Sequence, residues 1–403
     1  MEPNEADVLI VGAGLVGLAT ARALLAKRPE LRVTVVEKEP QIAAHQSSHN
    51  SGVVHAGVYY APGSQKAQLC TEGRRALEAY AADRGIPLQR TGKLVVAVRP
   101  DEISRLEELA ERATANGLRG LEVLSPEGIR EHEPHIRGVR ALWVPESGVV
   151  DFAMVARGYA DDIAAAGATL LLDTAVTEIT VRRDGVLITA GEQELSARLL
   201  VSCGGLQSDR LARLAGLDPG VSIVPFRGEW WTLAPRAAAL VRGLIYPVPD
   251  PALPFLGVHL TRRIDGAVWA GPNAVLSLAR EGYGRRDFDP RDARDILQDK
   301  GFRQLARQWW RTGAAELWRS ASRRAYLAAV RPYLPDLTPD DLVERTCGIR
   351  AQAVAPDGSM VDDFRLVDGP HSLHVLNAPS PAATASLAIG RELAERAVAR
   401  LGS

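Results

Sequence analysis

Residues 7–37 read DVLIVGAGLVGLATARALLAKRPELRVTVVE. The segment starts with a short apolar run and passes through the glycine pattern GAGLVG at residues 12–17. It then continues as a helix with an apolar face and ends in a second apolar run that leads to Glu37. A short apolar run that stops at glycine is typical of a buried parallel strand. The order strand, glycine turn, helix, strand and acidic residue therefore predicts an α/β dinucleotide-binding domain.

The residues of this pattern have separate physical tasks in a dinucleotide site. The first glycine allows the tight turn, the second lets the backbone approach a pyrophosphate, and the third lets the helix pack closely on the strand. Free N–H groups at the start of the helix attract the diphosphate, and the acidic residue accepts hydrogen bonds from ribose hydroxyls. The motif alone does not separate FAD from NAD. The contacts predicted at this end are Gly12, Gly14, Leu15, Val16, Gly17, Glu37 and Lys38.

Composition narrows the class of protein. Lys plus Arg is 48 and Asp plus Glu is 49, a net charge of −1, whereas nucleic-acid binding requires a basic surplus or stripe. We therefore expect no nucleic-acid partner. The three cysteines are widely spaced, which predicts no disulfide framework and no zinc site built on cysteine and favours a reducing, cytoplasmic setting. We expect no metal. No apolar run reaches the roughly 18 residues of a transmembrane helix, and the N-terminus lacks the basic region of a secretory signal.

The remaining sequence predicts a second domain inserted into the first. Residues 221–275 are rich in β-formers and prolines, and residues 291–331 are helical in pattern. The runs LLVS at 199–202 and LHVL at 373–376 return to the nucleotide domain. We predict an α/β fold, α+β overall. Its Rossmann-like domain is discontinuous (1–90, 145–218 and 345–403), and its substrate domain (91–144 and 219–344) is built on a mixed, largely antiparallel sheet plus helices.

Seven segments carry a resemblance to a known family. They read HNSGVVHAGVYY (49–60), VPFRGE (224–229), IYPVPD (245–250), PFLGVHLT (254–261), GPNAVL (271–276), RAQA (350–353) and NAPSPAAT (377–384). The chain resembles the FAD-dependent D-amino-acid oxidase/glycerol-3-phosphate dehydrogenase superfamily, and within it the L-2-hydroxyglutarate dehydrogenase (oxidase) family, from about Asp7 to Ile389. It departs from the family pattern at Ser48, at Trp230-Trp231 and at residues 278–280, which leaves the substrate width open.

The resemblance implies FAD as the cofactor and a small dicarboxylate substrate, L-2-hydroxyglutarate, which would be oxidised to 2-oxoglutarate by hydride transfer from C2 to flavin N5. Such a reaction needs a base for the hydroxyl proton, and a neutral imidazole is suited to it. His259 and His55 are the candidates, and we favour His259. Further FAD contacts are expected at Ser47, Asn50, Ser51, Gly52, Val53, Val176, Gly204, Gly205, Pro379, Ser380, Pro381, Ala382, Ala383 and Thr384.

Carboxylates of the substrate require cations or hydrogen-bond donors. Arginine pairs with a carboxylate through two parallel hydrogen bonds, and Arg350 resembles the arginine that holds the substrate carboxylate in related amino-acid oxidases. The remaining candidates for substrate contacts, for which a packing role is the alternative, are Arg227, Arg262, Tyr246, Asn273 and Tyr60.

Several alternatives stay open at this stage. They are a flavin-dependent amino-acid or amine oxidase of the same fold, an oxidase of another 2-hydroxy acid, an NAD-dependent dehydrogenase, and a non-catalytic flavoprotein subunit. The electron acceptor is expected to be a quinone or dioxygen, with an electron-transfer protein as the third alternative. A quinone acceptor would require peripheral contact with the inner membrane, whereas dioxygen would not.

Overall fold

The structure, a computed structural model, describes residues 5–251 and 256–402, so that Pro254 and Phe255 of one quoted segment lie outside it. The helices are α1 Leu15–Lys27, α2 Gln65–Asp83, α3 Ile103–Ala115, α4 Pro126–His132, α5 Phe152–Ala165, α6 Ser208–Leu214, α7 Pro235–Ala238, α8 Pro290–Gln298, α9 Lys300–Ala321, α10 Arg323–Val330 and α11 Ala382–Leu401. Short 3₁₀ turns cover 100–102, 205–207 and 339–341.

The strands form three sheets. Their bounds are β1 Glu5–Val11, β2 Val33–Val36, β3 Val53–Val54, β4 Leu88–Gln89, β5 Lys93–Ala97, β6 Glu122–Leu124, β7 Arg140–Val144, β8 Gly148–Val150, β9 Thr169–Leu171, β10 Val176–Val181, β11 Val186–Ala190, β12 Gln193–Ser202, β13 Ser222–Leu233, β14 Leu244–Pro247, β15 His259–Arg262, β16 Val268–Gly271, β17 Val275–Leu276, β18 Leu342–Val354, β19 Arg365–Gly369 and β20 Ser372–Asn377.

The first sheet has β1 near its centre, as the opening sequence predicts. Strand β1 pairs in parallel with β2 on one side and with β12 on the other, while β9 and β20 extend the parallel core outward. Val8, Leu9 and Ile10 of β1 are fully buried because apolar residues cover both faces of the sheet. Along the chain, β2 is added on one side of β1, and the later strand β12 is added on the other side. Sheets of this kind bind ligands at such a switch point, beyond the carboxyl ends of the strands.

The second sheet has nine strands and carries the other wall of the site. Strands β5 and β14 pair in parallel, and the other pairs in it are antiparallel. A third, small sheet consists of β3, β8 and β4, which pair antiparallel. In sequence, β4 directly precedes β5 of the second sheet, and β8 directly follows β7. The predicted α/β fold class, with a Rossmann-like domain and a mixed, largely antiparallel second sheet, is confirmed.

The position of β18 bears on the domain boundaries. This strand pairs with β13 over almost its full length, so it belongs to the second sheet. We therefore propose the predicted division into two domains with one change: the last piece of the FAD-binding domain begins near Ala355 instead of at 345. None of the described helices combines the length and the apolarity needed to cross a bilayer.

Candidate active site

A cavity of about 1530 Å³ lies between the first and second sheets. Its wall on one side is formed by the carboxyl ends of β1, β2, β12 and β20, and on the other by residues of β13, β14, β15 and β18. This is the place that the switch point of the parallel sheet predicts. The cavity is therefore the candidate site for both a cofactor and a substrate.

The glycine turn at one end of the cavity has the geometry that its sequence predicts. Gly12 has a φ of +102°, and a Cβ there would lie 2.5 Å from the carbonyl oxygen of Cys203. A Cβ on Gly17 would lie 2.0 Å from the carbonyl oxygen of Gly12, so only glycine lets the helix pack at this distance. Glu37 lines the cavity at the end of β2 and accepts a hydrogen bond from the N–H of Ala13 at 2.8 Å.

Two helices begin at this cavity without a capping side chain. The N-cap of α1 is Gly14 and that of α11 is Pro381; neither helix has a side-chain cap or an acidic residue in its first turn. Near the start of α1, the Ser47 hydroxyl accepts from the N–H of Leu15 at 2.9 Å, and the Glu37 carboxylate accepts from the N–H of Ala13 at 2.8 Å. Uncapped helix N-termini attract anionic and electron-rich groups. The donor set therefore fits the diphosphate and the ring system of FAD.

Most residues predicted to contact the cofactor line this cavity. Gly17 and Gly52 do not; each allows close packing behind the wall, since a Cβ on Gly52 would lie 2.7 Å from the carbonyl oxygen of Val150. The others that line it are Gly12, Gly14, Leu15, Val16, Glu37, Lys38, Ser47, Asn50, Ser51, Val53, Val176, Gly204, Gly205, Pro379, Ser380, Pro381, Ala382, Ala383 and Thr384.

Both predicted histidines line the cavity, and burial keeps both neutral. His259 Nδ1 lies 3.0 Å from the carbonyl oxygen of Gly257, which only accepts hydrogen bonds, so Nδ1 carries the proton and Nε2 has the free lone pair. Burial lowers the pKa of His259 to about 3. Burial and the charge of Lys93 also lower the pKa of His55, whose Nε2 lies 3.4 Å from the Ser380 hydroxyl.

Lys93, at the start of β5, lies behind the histidines and was not among the predicted site residues. Its side chain is 1% exposed, and its Nζ lies 4.1 Å from the ring centroid of Tyr246. The other neighbour of that ring is His259, stacked at 3.9 Å between centroids. The ring of Tyr246 therefore contacts both the Lys93 ammonium and the His259 imidazole, each about 4 Å from its centroid. Burial lowers the pKa of Lys93 to about 7.

Two of the predicted arginines, Arg350 and Arg227, lie on opposite faces of the second sheet because of the register between β13 and β18. Arg350 lies opposite Phe226, and both residues line the cavity. Arg227 is the next residue along β13, and successive side chains of a strand point to opposite faces. Its guanidinium therefore lies on the other face, 3.2 Å from Glu229 and 3.0 Å from the carbonyl oxygen of Gly284, beside a second cavity of about 370 Å³.

The side chains of Arg262 and Asn273 also form hydrogen bonds with other groups of the protein. Arg262 donates to the carbonyl oxygens of Ala238 and Val241 and does not line the cavity. Asn273 borders the cavity, but its side-chain amide bonds to the backbone and the carboxylate of Glu229. The structure thus does not bring Arg227 or Arg262 to the predicted substrate position.

Tyr246 and Tyr60 line the cavity as predicted, and so does Lys66, which was not predicted. The Lys66 ammonium bonds to the carboxylate and the carbonyl oxygen of Asp362 at 2.8 and 2.7 Å and lies 5.2 Å from the Tyr60 ring centroid. The charge of Lys66 also contributes to the lowered pKa of His55. A second cation therefore accompanies Arg350 in the region of the histidines.

The departures from the family pattern have distinct structural roles. Trp230 lines the cavity, whereas Trp231 points into the core of the second domain. Arg280 is 3% exposed and makes a two-fold contact with the buried carboxylate of Asp209, with Nη2 3.0 Å from Oδ2. Trp230 thus forms part of the cavity wall, and Arg280 forms a buried ion pair with α6.

One cluster of potential metal ligands lies at the same edge of the cavity. Among the described residues, Glu39, His45 and Glu281 bring their ligand atoms close together. The ammonium of Lys38 already contacts all three: it bonds to Glu39, lies 2.8 Å from Glu281 Oε2 and lies 3.1 Å from His45 Nε2. The arrangement is an ion-pair network that joins residues 38–45 to Glu281, and we assign no metal to it.

A cavity of about 1530 Å³ at the switch point of a parallel sheet, bordered by two helix N-termini, is typical of a dinucleotide-binding enzyme. The family model described as FAD dependent oxidoreductase matches residues 7–396. The chain belongs to this FAD-dependent oxidoreductase family, and FAD is its cofactor.

Named relatives are similar over nearly the whole chain. A mitochondrial L-2-hydroxyglutarate dehydrogenase of Nematostella vectensis is 44% identical, with 99% of this chain and 92% of that protein covered. The L-2-hydroxyglutarate dehydrogenase of Escherichia coli (strain K12) is also 44% identical, with 98% and 94% covered.

Solved structures share the fold. The FAD-bound L-α-glycerophosphate oxidase of Mycoplasma pneumoniae superposes with a TM-score of 0.80 at 24% identity, covering 100% of this chain and 96% of that one. Glycine oxidase of Geobacillus kaustophilus gives 0.71 at 21% identity, with 98% and 95% covered.

Proposed function

We propose that this chain catalyses the FAD-dependent oxidation of L-2-hydroxyglutarate to 2-oxoglutarate. The observation that carries the proposal is one cavity in which neutral histidines lie beside two cations, Arg350 and Lys66. A 2-hydroxy dicarboxylate has one hydroxyl to deprotonate and two carboxylates to neutralise. The relatives that are 44% identical bear the name of this activity.

His259 is the proposed base. The carbonyl oxygen of Gly257 holds its Nδ1 proton, so Nε2 accepts the proton of the substrate hydroxyl. FAD, when bound, supplies the acceptor for the hydride that leaves C2. The Ser380 hydroxyl and the first turn of α11 orient His55, which we propose as a second contact to the reacting end of the substrate.

Arg350 and Lys66 are proposed to bind the two carboxylates. Arg350 opens onto the cavity from β18, and its planar guanidinium matches a carboxylate. Lys66 is fixed by Asp362 on the same side as His55 and Tyr60. This assignment replaces Arg227 and Arg262, because neither of them lines the cavity.

The electrons are proposed to pass to a quinone or to dioxygen, and we propose a cytoplasmic protein that makes peripheral contact with the inner membrane if the acceptor is a quinone. Reoxidation of the substrate-reduced enzyme by dioxygen, compared with reoxidation by a soluble quinone analogue, identifies the acceptor. We expect the physiological acceptor to be the one that reoxidises the reduced flavin faster.

The test of the substrate is anaerobic reduction of the flavin. We expect L-2-hydroxyglutarate to bleach the flavin absorbance, and neither its D-isomer nor glutamate to do so. Arg350→Lys should raise KM at least about ten-fold, because a point charge does not reproduce the two parallel hydrogen bonds of the guanidinium. Arg262→Lys is the matched control and should leave KM unchanged. Bleaching by glutamate would indicate an amino-acid oxidase instead.

A further inference from the structure

Helix α9 exposes an apolar stripe on the outer surface of the second domain. Trp310 is 63% exposed, Leu317 58% and Trp318 67%. With Ala314 and Ala321, which are also exposed, they recur at intervals of four, seven, eight and eleven residues from Trp310. This spacing puts all five side chains on one face of the helix. Large exposed apolar surfaces of this kind usually mark an interaction site.

The opposite face of α9 explains why the stripe points outward. The carboxylate of Glu316 accepts a hydrogen bond from the N–H of Ala274 at 3.0 Å, and the Ser320 hydroxyl lies 2.5 Å from Glu229 Oε2. These contacts fix the inner face of the helix against the second sheet and against a residue that lines the cavity. The stripe is therefore held toward solvent by specific bonds on the other side.

The segment that carries the stripe is strongly basic. Residues 300–324 contain seven basic residues and one acidic residue, in a chain whose net charge is −1. Arg307 and Arg311 are exposed, and the guanidinium of Arg311 lies 5.3 Å from the ring centroid of Trp310. Two copies of this face would bring like charges together, which opposes self-association. The same arginines would attract an anionic surface.

We propose that the Trp310–Ala321 stripe and its flanking arginines dock the enzyme on an anionic lipid surface. Tryptophan and leucine on one face with arginine beside them are typical of helices that lie in the plane of a membrane interface. The indoles and Leu317 enter the headgroup region, and the guanidinium groups pair with lipid phosphates. The helix lies on the membrane and does not cross it. The surface is the one that peripheral contact for a quinone acceptor would use.

Vesicle binding of the full-length holoenzyme tests this proposal without any substrate, so that its failure leaves the proposed oxidation untouched. We expect co-sedimentation with vesicles of phosphatidylglycerol and phosphatidylcholine, and weaker binding to phosphatidylcholine alone. Trp310→Ser with Trp318→Ser should lower the partition coefficient at least about ten-fold, because two indoles no longer leave water. Val123→Ser, at another exposed apolar residue (48% exposed), is the matched control and should bind as the wild type does.

The charge is tested separately. Arg307→Gln with Arg311→Gln should reduce binding to the anionic vesicles by at least about ten-fold and change binding to phosphatidylcholine little, since basic residues near the surface are attracted by anionic lipids. Flavin content and thermal unfolding confirm that each variant is folded. The proposal is overturned if the wild type does not bind anionic vesicles, or if the double tryptophan variant binds as well as the wild type. It is also overturned if the stripe instead mediates a concentration-dependent dimer that Trp318→Ser abolishes.

Discussion

Replacing Lys93 with methionine should make the protein more stable at neutral pH. The ammonium of this residue is 1% exposed and faces the rings of Tyr246 and Tyr59, whose centroids lie 4.1 and 5.4 Å from Nζ. Aromatic faces attract a cation by about 0.5–2 kcal/mol, which does not compensate for the loss of hydration. Burial therefore lowers the pKa of Lys93 from an ordinary 10.5 to about 7.

The lowered pKa fixes the sign and size of the effect. Between about pH 7 and 10.5 the unfolded chain keeps a proton that the folded chain has released, so the free energy of unfolding rises with pH through this window. Below pH 7 the full cost of burying the charge remains. At about 1.36 kcal/mol per pH unit, the gap between the two pKa values corresponds to about 5 kcal/mol. Methionine has a similar length and no charge, so Lys93→Met removes this cost.

The measurement is the urea midpoint of the holoenzyme as a function of pH with saturating FAD. We expect the midpoint of the wild type to rise from pH 7 to 10.5 relative to that of Lys93→Met, with the largest difference at and below pH 7. Lys93→Arg, which stays charged throughout, should be the least stable and should lack this rise. Parallel pH dependence of the wild type and Lys93→Met would refute the argument.

The same substitution has a catalytic readout. The charge of Lys93 adds to burial in lowering the pKa values of His55 and His259. In Lys93→Met both pKa values should rise, so that the acid limb of the rate of flavin reduction moves to higher pH. A purely structural lysine would leave that limb where it is in the wild type.

Three further substitutions test other parts of the site. His259→Gln should slow flavin reduction by about 10²–10⁴-fold without loss of flavin; if only His55→Gln did so, the base would be His55. Gly17→Ala should lower the flavin-to-protein absorbance ratio, since its Cβ would lie 2.0 Å from a backbone oxygen; full flavin content would contradict the proposed packing. Arg280→Leu removes the buried cation beside Asp209, which keeps its contacts with Arg213 and with the N–H of Ile223, and should reduce the free energy of unfolding by about 1.5–3 kcal/mol. An unchanged urea midpoint would exclude this role.

The dinucleotide half of the site could be predicted from sequence because its function depends on the backbone. Gly12 and Gly17 are required by a positive φ and by a close approach, and both requirements belong to a short local segment. The helix that follows begins at Leu15, directly after the turn. Local geometry of this kind is encoded within about thirty residues, so the strand, turn and helix could be placed without knowledge of the rest of the fold.

The substrate half depends on contacts between distant strands. Arg227 and Arg350 are both plausible carboxylate ligands in sequence, and only the pairing of β13 with β18 shows that they lie on opposite faces. Lys93 stands at the start of the apolar run KLVVAV, where a charged residue usually marks the solvent end of a strand. Its burial follows from the packing of Tyr59 and Tyr246 over it, which no local pattern predicts.

The electrostatics of the cavity follow from this packing. Burial lowers the pKa of His259 most, and the charges of Lys93 and Arg350 lower it further, because a nearby cation raises the free energy of protonating an imidazole. Arg350 therefore has two effects in this arrangement: it would bind a carboxylate of the substrate, and it adds to burial in keeping the proton acceptor neutral. The carbonyl oxygen of Gly257 completes the arrangement by fixing the tautomer, because it leaves Nε2 as the one ring atom able to accept a proton. A substrate without carboxylates would lose the pairing with Arg350 and Lys66, although His259 would still be able to accept a proton.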